Sequence, residues 1–547
     1  MASNAMLDTT MEDSRLPDGV PLPTVTLEDL PDEILELIAR ACHAAARPRG
    51  GGVAWALLAT SRRLRDVAYE AVTSISVRSR SAADECAAVG HRASPGVGAL
   101  ANPLAFFLSP SGAALQARVR GVHQFLARAR RVREVTLHPN EEHDGGWLPD
   151  PEDWFLDVLF YALVLPELRR LPLTSLSAAG VGVAVLGGPP VSAAPLRKLV
   201  LEDIEEDRVD VAIVSVLGHH GGALEELTLA RTTREDEDTN YMIGAWLAAS
   251  AGMPRLRTLE LHVEMDAAGA ASLACHCPGL TRLSVNAALF DGVATALRGP
   301  RRLPALAHLE WAFYERSTWG VGTELRRMLA GRALTSLTLS AVPTIPRDRL
   351  DVLPALLKTA ALPAELDVSG MAPLDDAALA ALSAAGHAGS LQRLDCTLSA
   401  GATAAALRAL GRFTGLIDLT LRLPAAPDAA TLRLSEWPVG GLTRLHVVGT
   451  DAVGCPAAAQ ALLVGVAASG SRSTLRGLFL SGPPLVEAVA AAPLAALTAL
   501  RCLYYGVPYA SKGETVEALH ARREVMNAWI RRRLPDLRTR PLASRRR

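Results

Sequence analysis

Aromatic side chains are scarce in this sequence of 547 residues: Phe, Trp and Tyr together make 4%. A core must therefore be built from Leu, Val and Ala. Cysteine is sparse too. The seven thiols (Cys42, Cys86, Cys275, Cys277, Cys396, Cys455, Cys502) are odd in number and scattered. Such a set is no disulfide framework and points to a reducing compartment. No charge of one sign prevails. Lys plus Arg is 56 and Asp plus Glu 57, a net of -1, which implies no global attraction to nucleic acid. Long apolar runs are missing: the stretches at 461–469 and 485–500 are Ala-rich, and they are short or broken by Glu487 and Pro493. A membrane span needs about 20 apolar residues. The acidic N-terminus shows no secretory apolar region.

What is present is repetition. The pattern L-x-x-L-x-L begins at Leu196, Leu224, Leu256, Leu280, Leu306 and Leu334. It continues at Pro363 (degraded), Leu391, Leu416, Leu442, Leu475 and Leu500. Starts lie about 28 residues apart, a long leucine-rich-repeat period. Weaker copies stand at Val132 (VREVTL) and Leu168 (LRRLPL). In a short strand the fourth and sixth positions share one face and the fifth takes the other. Between strands, Ala/Leu-rich stretches such as 375–386 and 402–413 carry apolar residues three and four apart, which suits helices. One unit cannot bury its apolar side, but a stack of twelve can, so a single long body is expected.

These residues resemble the leucine-rich-repeat family in its longer, ribonuclease-inhibitor-like form, over roughly 130–510. The fold class expected is an α/β solenoid, curved, with about 12–14 repeats. The Asn or Cys that ladders the turns in that family is missing; Ile204, Thr232, Glu264 and Ala288 stand there instead.

A second resemblance lies upstream. Residues 26–72 read as three short helices, with Pro31 suited to a first turn and Gly50–Gly52 breaking the first connection. Leu30, Pro31, Glu33, Ile34, Leu35 and Ile38, then Leu57 and Leu58, then Ser61, Arg62, Arg63 and Leu64 resemble the F-box. Leu64 replaces that family's usual Trp. An F-box followed by leucine-rich repeats is a recurrent family architecture. The resemblance implies a substrate receptor of a cullin–RING ubiquitin ligase. Leu30, Pro31, Ile34, Leu35, Ile38, Leu57, Leu58 and Leu64 would dock a Skp-type adaptor, and the repeats would hold a protein substrate. No catalytic residue, metal or cofactor is then needed, and a cytoplasmic or nuclear location follows.

The domains expected are a disordered acidic segment (1–25), the F-box-like unit (26–72), a helical connector (73–130), the solenoid (131–515) and a C-terminal helix with a basic tail (516–547). The ends oppose in charge: residues 1–36 carry nine acids and one base, residues 522–547 ten arginines and two acids. The tail is read as disordered beyond about 536.

A substrate stripe is expected on the concave face, where the third, fifth and seventh motif positions point. It comprises Glu226, Glu260, His262, Arg282, His308, Glu310, Asp367, Arg393, Asp395, Arg422, Arg444, Phe479 and Tyr504. The Cys275-His276-Cys277 run lacks paired zinc-site spacing and reads as two small residues flanking a strand. Two other readings stay open: a scaffold whose N-terminal helices only cap the repeats, and a small-GTPase regulator using an arginine such as Arg282 or Arg444.

Overall fold

The computed structural model describes residues 72–78, 110–138, 151–202, 206–230, 252–262, 267–286, 291–299, 301–313, 321–341, 363–384, 389–399, 401–423, 441–449, 464–481, 496–505 and 538–541, with a few isolated positions. The F-box-like contact residues Leu30, Pro31, Ile34, Leu35, Ile38, Leu57, Leu58 and Leu64 lie outside the described residues. The chain divides into two compact units, Met1–Leu196 and Arg197–Arg547. Before Leu196 the helical layer is a single turn, Val181–Ala184, followed by Gly187-Gly188-Pro189-Pro190, which cannot continue a helix.

In the first unit, strands β1 (Ser74–Arg78), β2 (Glu134–His138) and β3 (Ser175–Ala179) pair in parallel. Helix Pro110–Arg128 joins β1 to β2 and helix Pro151–Leu168 joins β2 to β3. Arg118 lies 4.8 Å over the Phe160 ring. His123 Nε2 lies 2.9 Å from the Leu163 carbonyl.

Two findings differ from the sequence pattern here. The connector expected to be helical holds β1, built by Val72-Thr-Ser-Ile-Ser-Val77, a Val/Ile copy of the motif that a search for leucine passes over. The copy at Leu168 makes no strand, since Leu168 ends a helix. Its fifth position is Pro172, whose missing N–H would break the ladder. The strand comes instead from Leu173-Thr-Ser-Leu-Ser-Ala178, whose Ser175 registers on Glu134.

The second unit carries β4 (Lys198–Glu202), β5 (Glu226–Ala230), β6 (Thr258–His262), β7 (Arg282–Asn286), β8 (His308–Phe313) and β9 (Ser336–Ala341). Then come β10 (Glu365–Gly370), β11 (Arg393–Thr397), β12 (Asp418–Leu423), β13 (Arg444–Gly449), β14 (Gly477–Ser481), β15 (Cys502–Tyr505) and β16 (Arg538–Pro541). Each pairs in parallel with the next. The register stacks the fourth-position leucines, from Leu199 on Leu227 through to Leu478 on Leu503, and none of this row is more than 2% exposed. Each such burial is worth about 1.5–3 kcal/mol, so the row is the main cohesive term. The expected helices form at Asp376–Ala384 and Ala404–Leu410. The parallel strands, the leucine row and the intervening helices make this an α/β repeat of the leucine-rich-repeat type.

Ile204, Thr232, Glu264 and Ala288, where the family's Asn or Cys would stand, lie outside the described residues; at the strand entries a backbone ladder recurs. The Arg197 carbonyl accepts from both Glu225 N (2.7 Å) and Glu226 N (3.0 Å), and the second-position carbonyls of Glu225, Arg257, Thr281, Ala307, Ala364, Gln392, Ile417, Thr443 and Arg476 repeat the pattern. A second recurrent slot lies three residues before the first leucine. Met253, Cys277, Leu303, Phe413 and Leu497 fill it, all buried, each carbonyl accepting from the leucine three residues on. Cys277 is thus a packing residue, and burial pushes its thiol up to about 12. Cys275 is exposed. The final strand, Arg538–Pro541, falls where the tail was expected to be disordered; the open backbone edge of β15 pairs it without help from leucines.

Candidate functional site

Strand alternation sends the fourth and sixth motif positions into the core and the third and fifth to the opposite face. Burial follows this: β4 alternates exposed, buried, half-buried, buried, exposed, and β5 and β6 repeat the alternation. Register then aligns the outward side chains into two rows across the sheet. The third-position row includes Lys198, Glu226, Thr258, Arg282, His308, Ser336, Glu365, Arg393, Asp418 and Arg444. The fifth-position row includes Thr228, Glu260, Ser284, Glu310, Thr338, Asp367, Asp395, Thr420, His446 and Phe479, and Tyr504 holds the same register position on β15.

Neighbouring strands lie about 4.8 Å apart, so adjacent row members can pair. Lys198 and Glu226 are 2.9 Å apart, and Thr228 donates to Glu260 at 3.3 Å. His308 Nδ1 lies 2.8 Å from Ser336 Oγ. Arg282 stands 3.9 Å from Glu310, at the limit of an ion pair. The firmest network is at β11–β13. Asp418, its side chain 13% exposed, holds Arg444 at 2.7 Å and Arg393 at 3.8 Å. Asp395 receives Arg422 at 3.3 and 3.4 Å. Burial pushes the Asp395 carboxyl above its ordinary range and the charge of Asp367 adds to this, with Arg422 opposing. Burial pushes His446 down, Arg422 adds to that and Asp418 opposes.

Five of the expected stripe residues, Arg282, His308, Glu310, Asp367 and Arg393, come together around one concavity of about 330 Å³. Ser336, Thr338 and Glu365 complete its polar lining. Glu365 and Asp367 have no cation partner among the described residues; Asp367 accepts the Ser369 N–H at 2.9 Å. Glu226, Glu260 and His262 sit on β5 and β6, outside the concavity, and His262 is exposed at its strand end. Asp395, Arg422 and Arg444 form the adjoining ion-pair network. At the far end the His446 and Phe479 rings meet at 5.6 Å, and Tyr504 registers beside Phe479. Gly477 makes room for this: a Cβ there would lie 3.2 Å from Phe479 Cε2. The glycine at a third position is the sequence signal for that shelf.

Arg332 is also absent from any motif. It is 9% exposed, and its guanidinium donates to the carbonyls of Met328 (3.0 Å), Leu303 (3.1 Å), Leu297 and Arg302 (2.6 Å). It clasps the turn before β8 to the turn before β9. Leu303 in that turn has φ 52, strained for a branched residue, and the clasp holds it.

Among the described residues no group of three or more His, Cys, Asp and Glu is placed to hold a metal ion. No described helix is long and apolar enough to cross a membrane. The outward strand face is polar and carries several ion pairs.

No family model matches the chain, and no curated protein does. Among crystal and other experimental structures, a chain of the yeast Rad7 and Elc1 complex is similar at 13% identity with a TM-score of 0.38, covering 71% of this chain and 88% of that one. A leucine-rich-repeat protein of Leptospira interrogans is similar at 13% identity with a TM-score of 0.24, covering 76% of this chain and 91% of that one. At these values neither likeness bears on partners or activity. The fold assignment rests on this chain's own strand register and leucine row.

Proposed function

We propose that this chain is a non-catalytic protein-recognition subunit: the strand face of the second unit binds a protein partner, and residues 26–72 dock a Skp-type adaptor of a cullin–RING ubiquitin ligase. The observation that carries the recognition role is the polar concavity spanning β7 to β11, whose carboxylates Glu365 and Asp367 have no cation partner among the described residues. An incoming chain with Lys or Arg side chains would complete those pairs. The adaptor role rests on the F-box-like pattern from Leu30 to Leu64 and on its position ahead of the repeats. Recruitment alone would then serve the reaction, by raising the local concentration of a substrate lysine.

A GTPase-regulator role gains no support from the face: Arg444 is committed to Asp418 at 2.7 Å, and Arg282 lies beside Glu310. The test is a pull-down of the full chain with a purified Skp-type adaptor, beside the variant Leu30→Ala with Pro31→Ala. A truncation at residue 81 would be a poor control, since it removes β1. Binding lost in the double variant, with its fold intact by circular dichroism, is the expected outcome. Equal binding by both forms would refute the adaptor assignment.

A further inference from the structure

The chain's net charge of -1 hides an uneven distribution that only the fold exposes. The turns entering β6, β7, β8 and β9 lie in residues 252–257, 275–281, 297–307 and 326–335, and these contain no Asp or Glu. They do contain Arg255, Arg257, Arg298, Arg301, Arg302, Arg326 and Arg327 as exposed side chains.

The turns stack side by side. Met253 N donates to the His276 carbonyl at 2.8 Å, Arg302 reaches Cys275 Sγ at 3.8 Å, and Arg332 binds the carbonyls of Arg302 and Leu303. The arginines therefore share one edge of the second unit. Arg255, Arg257, Arg298, Arg301 and Arg326 have no ion-pair partner among the described residues. Helix C-termini favour nearby cations, which accounts for Arg326 and Arg327 in the last turn of helix Val321–Leu329. It does not account for the arginines out in the turns.

The surface chemistry selects the ligand. The strand face offers a protein partner an aromatic anchor at His446 and Phe479, whereas the arginine edge offers none. Here every large apolar side chain of these segments is buried or half-buried, among them Met253, Leu256, Leu297 and Leu303. A phosphodiester backbone needs only charge and donors, which guanidinium groups supply. With no exposed aromatic for base stacking, the contact falls on the backbone, not the bases. Four strands span about 14 Å, which faces about four phosphates of one duplex strand at 3.4 Å of axis each.

We infer that the arginine edge formed by the turns before β6 to β9 binds the phosphate backbone of a nucleic-acid duplex without reading its sequence. This site is separate from the strand face and does not depend on the ligase reading.

The test is fluorescence anisotropy of the full chain with two short labelled DNA duplexes of unrelated sequence, titrated over salt. Binding should weaken with salt along a log–log slope of about 0.9 per phosphate contacted. The variant Arg298→Ala with Arg301→Ala should weaken both duplexes equally, by tenfold or more at low salt, and lower the slope by about two. Arg255→Ala with Arg257→Ala should act alike. Because these side chains are exposed and have no ion-pair partner among the described residues, both variants should keep the parent's circular dichroism. Three outcomes would overturn the inference: no binding by the full chain at low salt, loss only when Arg545, Arg546 and Arg547 are replaced by Ala, or displacement of the duplex by polyglutamate as readily as by unlabelled DNA.

Discussion

Replacing Arg332 with Met tests whether a single buried guanidinium holds neighbouring repeats together. The substitution keeps the aliphatic stem and removes the charge and donors. Four carbonyls, those of Met328, Leu297, Arg302 and Leu303, then lose a donor. Hydrogen bonds from a charged donor contribute about 1.5–3 kcal/mol each, so the gross loss is about 6–12 kcal/mol. Two effects offset it. Burial of the guanidinium, which pushes its pKa down, is relieved. Leu303 O keeps the Leu306 N–H at 3.2 Å, and water reaches the turn once the side chain shrinks. A buried ion costs several kcal/mol to desolvate, so the net destabilisation expected is about 3 kcal/mol. In a repeat chain the effect should stay near its source. Urea unfolding gives the magnitude, and amide hydrogen exchange gives the place: β8 and β9 should lose protection first. A stability change under about 0.5 kcal/mol, or protection lost equally from β4 to β15, would refute the reasoning.

Other consequences are equally open to measurement. Gly415→Ala would drive a Cβ into the Gly389 carbonyl and should cost about 1–3 kcal/mol in denaturant unfolding; a neutral result would mean the turns do not approach this closely. Asp418→Asn removes the carboxylate shared by Arg393 and Arg444 and should cost about 1–2 kcal/mol, read in the same way. Asp376 predicts a pH effect. Burial raises its pKa, but the Thr403 hydroxyl and N–H, the Ala406 N–H and Arg408 outweigh it, leaving the carboxyl below its ordinary value. A depressed folded pKa stabilises above the unfolded value, and that stability is lost as pH falls through the folded one. Asp376→Asn should therefore flatten the acid limb of the stability profile, and an unchanged limb would count against a stabilising role for these hydrogen bonds to Asp376.

The repeat body was legible because the leucine row is both the sequence signal and the energetic core. From Leu196 onward every fourth-position leucine read from the pattern is a buried strand residue. The ends were harder for the same reason. β1 uses Val and Ile, β3 comes from a motif copy at Leu173, five residues past that at Leu168, and β16 (Arg538–Pro541) contains no leucine. The stripe residues fell on the expected face because alternation is geometric. Their partition into a central concavity, an ion-pair network and an aromatic shelf depends on register across five to ten strands, which no single repeat encodes. Arg332 and the arginine edge were invisible because they arise from turns that differ in length and carry no motif.

The account turns on whether the strand-face scaffold is coupled to an adaptor. The most direct measurement is titration calorimetry of the full chain with purified Skp-type adaptor, repeated with Leu30→Ala/Pro31→Ala and with Glu365→Ala/Asp367→Ala. The account predicts saturable binding that the first pair of substitutions abolishes and the second leaves untouched. Absence of heat and of complex with the well-folded parent chain would contradict it.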